Sequence, residues 1–210
     1  MCRNYLWSWW EQHLIKKYIF GFLVGIFLIP ISSALAAPIY TFPITGCSVK
    51  YAHSHHNYPA TDILAKKGCH FVATTSGIVD EVNRIDKWNG KTDLGADRGG
   101  LFVSIIGDDG VRYYGSHLGK VAPGIVHGLR VSAGDLLGYI GTSGDARGTA
   151  PHVHYGISWP TPSGIWWVRR GEVYPWRYLD VWKAGKDLSP FKSVAAMQKK
   201  VGIMPKQKGY

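Results

Sequence analysis

The chain is poor in the features that mark several common protein classes. Only three of its 210 residues are cysteine, and none stands in a CxxC spacing, which argues against a cysteine-built structural zinc module. The middle of the chain has no long stretch in which apolar residues recur at a helical period, so the composition leans away from a helical bundle. Lysine and arginine (24) outnumber aspartate and glutamate (14). They form no stripe interleaved with base-stacking aromatics, so nucleic acid is not an expected partner. The glycine-rich run 141–148 lacks the GK[ST] ending of a phosphate loop and lies before a strand.

What the chain does have is glycine (26 residues) and 46% hydrophobic content. Over this length these fit one mostly β domain with extensions better than two domains. Lys16 and Lys17 precede an uncharged run from Tyr18 to Ala37, and Ala34-Leu35-Ala36 supplies the small residues of a signal-peptidase site. Residues 1–36 are therefore read as a signal peptide, with a retained membrane anchor as the alternative. The protein is expected to be exported, to the periplasm or cell envelope, with membrane contact only if this segment is kept. Cleavage removes Arg3, Lys16, Lys17 and Glu11, lowering the formal charge from +10 to +8. It also leaves Cys47 and Cys69 as an isolated pair, which in an oxidising compartment is expected to be joined.

Residues 37–50, with Pro38, Pro43 and Gly46, read as an irregular lead-in. Strand-like runs follow at Phe71 to Thr75, Gly77 to Val82, Leu101 to Ile106, Val111 to Tyr114, Leu136 to Ile140 and His152 to Ile157. The pair flanking Gly107-Asp108-Asp109-Gly110 predicts a hairpin. Residues 86–100 are polar, glycine-rich and without period, which marks a long surface loop of the kind that often carries function. A Trp/Tyr-rich extension begins at residue 158 and is expected mainly to pack against the sheet. Ser193 to Val201 is a possible helix within a basic tail, 193–210, that should fray at its end. The main domain is thus placed at 51–192.

Histidines carry the functional signal. Pro151-His152-Val153-His154 puts two imidazoles on one face of a strand. His55-His56-Asn57-Tyr58-Pro59-Ala60-Thr61-Asp62 brings imidazoles and a carboxylate into one turn and strand, and His117 ends another strand. Imidazole and carboxylate are ordinary zinc donors, and together the three elements suit one catalytic Zn2+ with three protein ligands and an open position. His70 is read as a strand-start residue, His53 and His127 as exposed. Asp80, Asp108, Asp109 and Asp135 are assigned to turns and strand ends.

These elements resemble the lysostaphin-type zinc metalloendopeptidases of bacterial peptidoglycan. The likeness runs through His56, Asp62 and Ile63, the strand pair Val72 to Val79, His117-Leu118, the glycine-punctuated run Val131 to Gly144, and Pro151 to His154. The wording Tyr58 to Ile63 and the tail Pro175 to Asp180 extend it toward residue 192. It implies an antiparallel, sandwich-like sheet domain of the duplicated hybrid motif type, and hydrolysis of peptide bonds in peptidoglycan stem or cross-link peptides. It also implies His56, Asp62 and His154 as zinc ligands, with His117 and His152 as catalytic histidines. The family spacing, with histidine four residues before the aspartate, is not kept, because Tyr58 stands there. His56 then needs a two-residue insertion in the turn, and His55 is its rival. The alternative function is an inactive envelope module that binds peptidoglycan or activates another hydrolase.

Overall fold

A computed structural model describes residues 39–207. The proposed signal or anchor segment and the last three residues of the basic tail lie outside the described residues, and no described helix is long and apolar enough to cross a membrane. The chain forms strands β1 (Ile44–Thr45), β2 (Lys50–Tyr51), β3 (Thr61–Leu64), β4 (His70–Val72), β5 (Gly77–Asn83), β6 (Leu101–Gly107), β7 (Arg112–Val121), β8 (Arg130–Val131), β9 (Leu136–Ile140) and β10 (His152–Ser158). Helices α1 (Trp166–Arg169), α2 (Trp176–Lys183) and α3 (Phe191–Val201) follow. The mostly β, antiparallel expectation holds: the strands join in one ten-stranded sheet, with every pairing antiparallel.

The sheet folds over itself, and β7 is its pivot. The first half of β7, through Ser116, pairs with β10, whereas its second half, from Leu118, pairs with β9. β4 thereby comes to lie over β7, where the Phe71 ring rests on Gly115 so closely that an added Cβ would stand 2.2 Å from it. The core between the layers holds Ile63, Phe71, Val103, Leu118, Ile140 and Tyr155, all almost fully buried. The expected hairpin forms between β6 and β7, its turn closed by Gly107 N–H donating to Val111 O at 2.9 Å.

Several expectations are refined. The lead-in is not wholly irregular, since β1 pairs with β4 and Cys47 is bonded to Cys69, which lies just before β4. The aromatic extension does pack inward. Tyr178, Leu179 and Trp182 of α2 are buried and Tyr40 stacks on Trp182 with centroids 5.5 Å apart. The tail does not fray directly after α3, because the Trp159 and Trp167 indoles donate to the carbonyls of Ile203 and Pro205 at 2.8 and 2.9 Å. Asp80 does more than end a strand. At an irregularity of β5 it pairs at 2.8 Å with Arg112, a fully buried guanidinium that also donates to Thr161.

Candidate metal centre

β10 runs between β3 and β7, and this register builds the site. His154 lies directly opposite Asp62 on one side and Ser116 on the other, and alternation puts His152 on the same face two residues earlier. His117 would point away from that face in a regular strand, between Ser116 in the cleft and Leu118 in the core. It instead adopts a left-handed conformation, φ +62°, at the point where β7 changes partner. This conformation is uncommon for a non-glycine residue and is held here by His117 N–H donating to Gly99 O at 2.9 Å. It lets His117 share the cleft with Ser116.

Of the two adjacent histidines, it is His55 and not His56 that the structure brings to Asp62 and His154. One donor atom from each of His55, Asp62 and His154 lies within 4.8 Å of the others. The expected placement of His56 is corrected accordingly: His56 is exposed at the cleft rim, edge-on to the His55 ring at 4.9 Å. The irregular chain before β3 runs three residues further than the family spacing allows. Tyr58, at the family's histidine position, has its ring against His55 and uses its carbonyl to accept the His55 Nδ1–H at 3.1 Å.

The hydrogen bonds fix which nitrogen of each ring carries the proton, because a main-chain carbonyl can only accept. His55 Nδ1 donates to Tyr58 O, His117 Nδ1 to Ser143 O at 2.9 Å, His152 Nδ1 to Ala150 O at 2.8 Å and His154 Nε2 to Arg170 O at 3.0 Å. His154 Nδ1 lies in hydrogen-bond contact with Asp62 Oδ1 at 3.0 Å, and His55 Nε2 faces the same oxygen at 3.7 Å. Two imidazole nitrogens and a carboxylate oxygen thus converge, which is a donor set that suits a divalent cation. Burial raises the Asp62 carboxyl, but His154, His55 and His152 outweigh this and hold it well below the usual carboxylate range. Burial, then the neighbouring His154, pushes His55 down to about 4, and burial with His154 and His152 pushes His117 down to about 3. Both rings are neutral at neutral pH.

The five residues line one open cleft of about 820 Å³. The His117 and His152 rings lie 4.9 Å apart by centroid, with His117 6.0 Å from His154. Sequence reasoning did not find the other walls: Tyr58, Arg98, Tyr114, Asp145 and Arg170. The Arg170 guanidinium lies 4.4 Å over Tyr58 and 4.7 Å over Trp166. No short motif points to Arg98, Asp145 or Arg170, which come from the loop before β6, the turn after β9 and the segment after β10, whereas Tyr114 lies within β7. The remaining histidines are as expected: His70 begins β4, and His53 and His127 are exposed.

The profile of Peptidase family M23 matches residues 56–163. No curated protein matches the chain. Among solved structures, a Ruminococcus gnavus protein described as the glycyl-glycine endopeptidase LytM is 26% identical with a TM-score of 0.54, over 71% of this chain and 62% of that one. The antimicrobial peptidase lysostaphin from Staphylococcus simulans is 22% identical with a TM-score of 0.51, over 74% of this chain and 59% of that one. This chain therefore spans about three fifths of the length of either.

Proposed function

Because this chain belongs to peptidase family M23, we propose that it is an exported, zinc-dependent endopeptidase that hydrolyses peptide bonds in peptidoglycan stem or cross-link peptides. The observation that carries this is the arrangement of the cleft imidazoles. Four imidazoles each bond a main-chain carbonyl through one nitrogen, which leaves the other nitrogen of each turned toward the cleft or Asp62. Two of those nitrogens meet the Asp62 carboxylate.

His55 Nε2, Asp62 Oδ1 and His154 Nδ1 are the zinc ligands in this reading. When bound, zinc supplies Lewis acidity toward the scissile carbonyl and lowers the pKa of water near it. The bare Nε2 of His117 or His152 takes the proton from the attacking water, and an imidazole so protonated can donate to the oxyanion or to the leaving amine. The carbonyls behind the rings keep the bare nitrogens aimed into the cleft.

Export is supported by the leader-like residues 1–36 and by the bonded cysteine pair, which persists in oxidising compartments. The likeness to a protein described as a glycyl-glycine endopeptidase supports a peptide as substrate. The test is zinc content together with release of new amino termini from purified cell walls. A zinc-loaded protein that binds walls of every cross-link type yet releases no amino termini would replace this reading with the inactive module.

A further inference from the structure

The proposed chemistry leaves two segments without a role, the long loop 86–100 and the glycine-rich turn 141–148. They are bonded to each other behind His117. Asp86 Oδ2 accepts the Gly144 N–H at 3.0 Å. The carbonyl of that same peptide unit, Ser143 O, accepts the His117 Nδ1–H at 2.9 Å. We propose that Asp86 is a positioning residue for the reaction, acting on His117 through the single peptide group between Ser143 and Gly144.

A carboxylate beside a peptide N–H polarises the group and makes its carbonyl a stronger acceptor, so hydrogen bonds in such a chain reinforce one another. Here the chain runs from the Asp86 carboxylate, through the Gly144 N–H and Ser143 C=O, to His117 Nδ1–H, and ends at the bare Nε2 in the cleft. It does for His117 what a directly bonded carboxylate does for other working histidines: it fixes the tautomer, orients the ring and increases the basicity of the far nitrogen. The surroundings hold the peptide in register. Ser143 Oγ accepts the Leu101 N–H at 2.9 Å and Asp145 N–H donates to Arg98 O at 3.0 Å. Gly144 has φ +68° and lies so close to Arg98 O that an added Cβ would stand 1.9 Å from it. Only glycine presents its N–H to Asp86 in this place. Asp86 itself is kept ionised by Arg147, whose guanidinium lies 2.6 Å away, and by the Trp88 N–H at 3.2 Å.

This inference rests on His117 being a working histidine, and the test separates the two ideas by a readout that needs no turnover. In the zinc-loaded full chain, the His117 Nδ1–H proton and ring nitrogens are followed by NMR beside kcat, KM and zinc content. Asp86→Asn keeps an acceptor and removes the charge. It should lower kcat about tenfold with KM and zinc within twofold, and move the His117 N–H signal upfield. Asp86→Ala should cost more and broaden that signal by exchange. Arg147→Ala removes the cation at the same Oδ2 but keeps the carboxylate and its Gly144 bond, and should lower kcat and shift the signal less than Asp86→Asn does. An Asp86→Ala protein with an unmoved His117 signal, or an Arg147→Ala loss equal to that of Asp86→Asn, overturns the relay. An unsubstituted protein that cuts no peptide overturns the proposed function instead, and the NMR comparison still decides on Asp86.

Discussion

At the scale of single residues, the adjacent histidines give the sharpest contrast. His55 Nε2 faces Asp62 Oδ1 and the His55 ring is edge-on to His154 at 5.0 Å, whereas His56 is exposed at the rim. His55→Ala should therefore lose stoichiometric zinc, and His56→Ala should keep it, as read by metal analysis after dialysis. The opposite pattern would restore His56 as the ligand. A second contrast separates ligands from proton carriers. His117→Ala and His152→Ala should each retain zinc yet lose roughly a hundredfold or more in kcat/KM, because each removes a transition-state interaction and no ligand. Asp62, His117, His152 and His154 were candidates in the sequence, His152 and His154 by strand alternation and Asp62 and His117 through the resemblance, whereas the register and the left-handed turn that bring them to one cleft were not visible there. His55 could not be told from His56 there, because the extra residues before Asp62 have no period, and nothing short of coordinates says which of two neighbouring rings turns inward.

Among the elements, the strands were legible wherever β-rich runs were bounded by glycine. β10 and β6 fall within one residue of their expected bounds, as does the start of β7, which runs on to Val121, past its expected end at Tyr114. α1 and α2 were not legible. They are four and eight residues long, too short to show a helical period, and are stabilised by burying Val168, Tyr178, Leu179 and Trp182 in place of intrinsic propensity. The approach of β4 to β7 was equally hidden, since it depends on Gly115 facing an aromatic, Phe71, from a strand distant in sequence. Gly115→Ala should force the Phe71 ring to move and destabilise the protein by about 1–3 kcal/mol in urea unfolding. Because Gly115 also pairs with Tyr155, next to His154, the same variant should bind zinc more weakly. Unchanged stability would mean that the two layers can separate locally without cost.

For the whole molecule, the Cys47–Cys69 bond and the metal centre act on the same stretch of chain. The bond spans a sequence separation of 22 that contains β2, His55 and Asp62. Removing it by Cys47→Ser with Cys69→Ser should cost about 3 kcal/mol of stability. It should also weaken zinc binding if the segment carrying His55 and Asp62, two of the three proposed ligands, gains freedom in the folded chain.

Acid should act on this molecule through the buried imidazoles, and the sign follows from their direction of shift. An unfolded histidine titrates at about 6.5, whereas in the folded metal-free chain His55 is pushed down to about 4 and His117 to about 3. Between these values the unfolded chain holds more protons than the folded one, so stability falls as pH falls. The contribution of each ring is fully present above about 6.5 and lost as pH drops through its folded value, His55 first. Urea midpoints of the metal-free protein should thus be level from pH 8 to 7 and decline steadily toward pH 4. Saturating zinc should raise the plateau, because it binds only the folded chain, and steepen the decline, because protons compete for His55 and His154. The His117→Ala variant should show a shallower decline from about pH 6.5 to 4, where His55 alone then contributes, and none from these rings below about 4. If metal-free midpoints instead rose on acidification, these rings would be charged in the folded state, and the carbonyl-fixed neutral tautomers on which the metal site depends would be wrong.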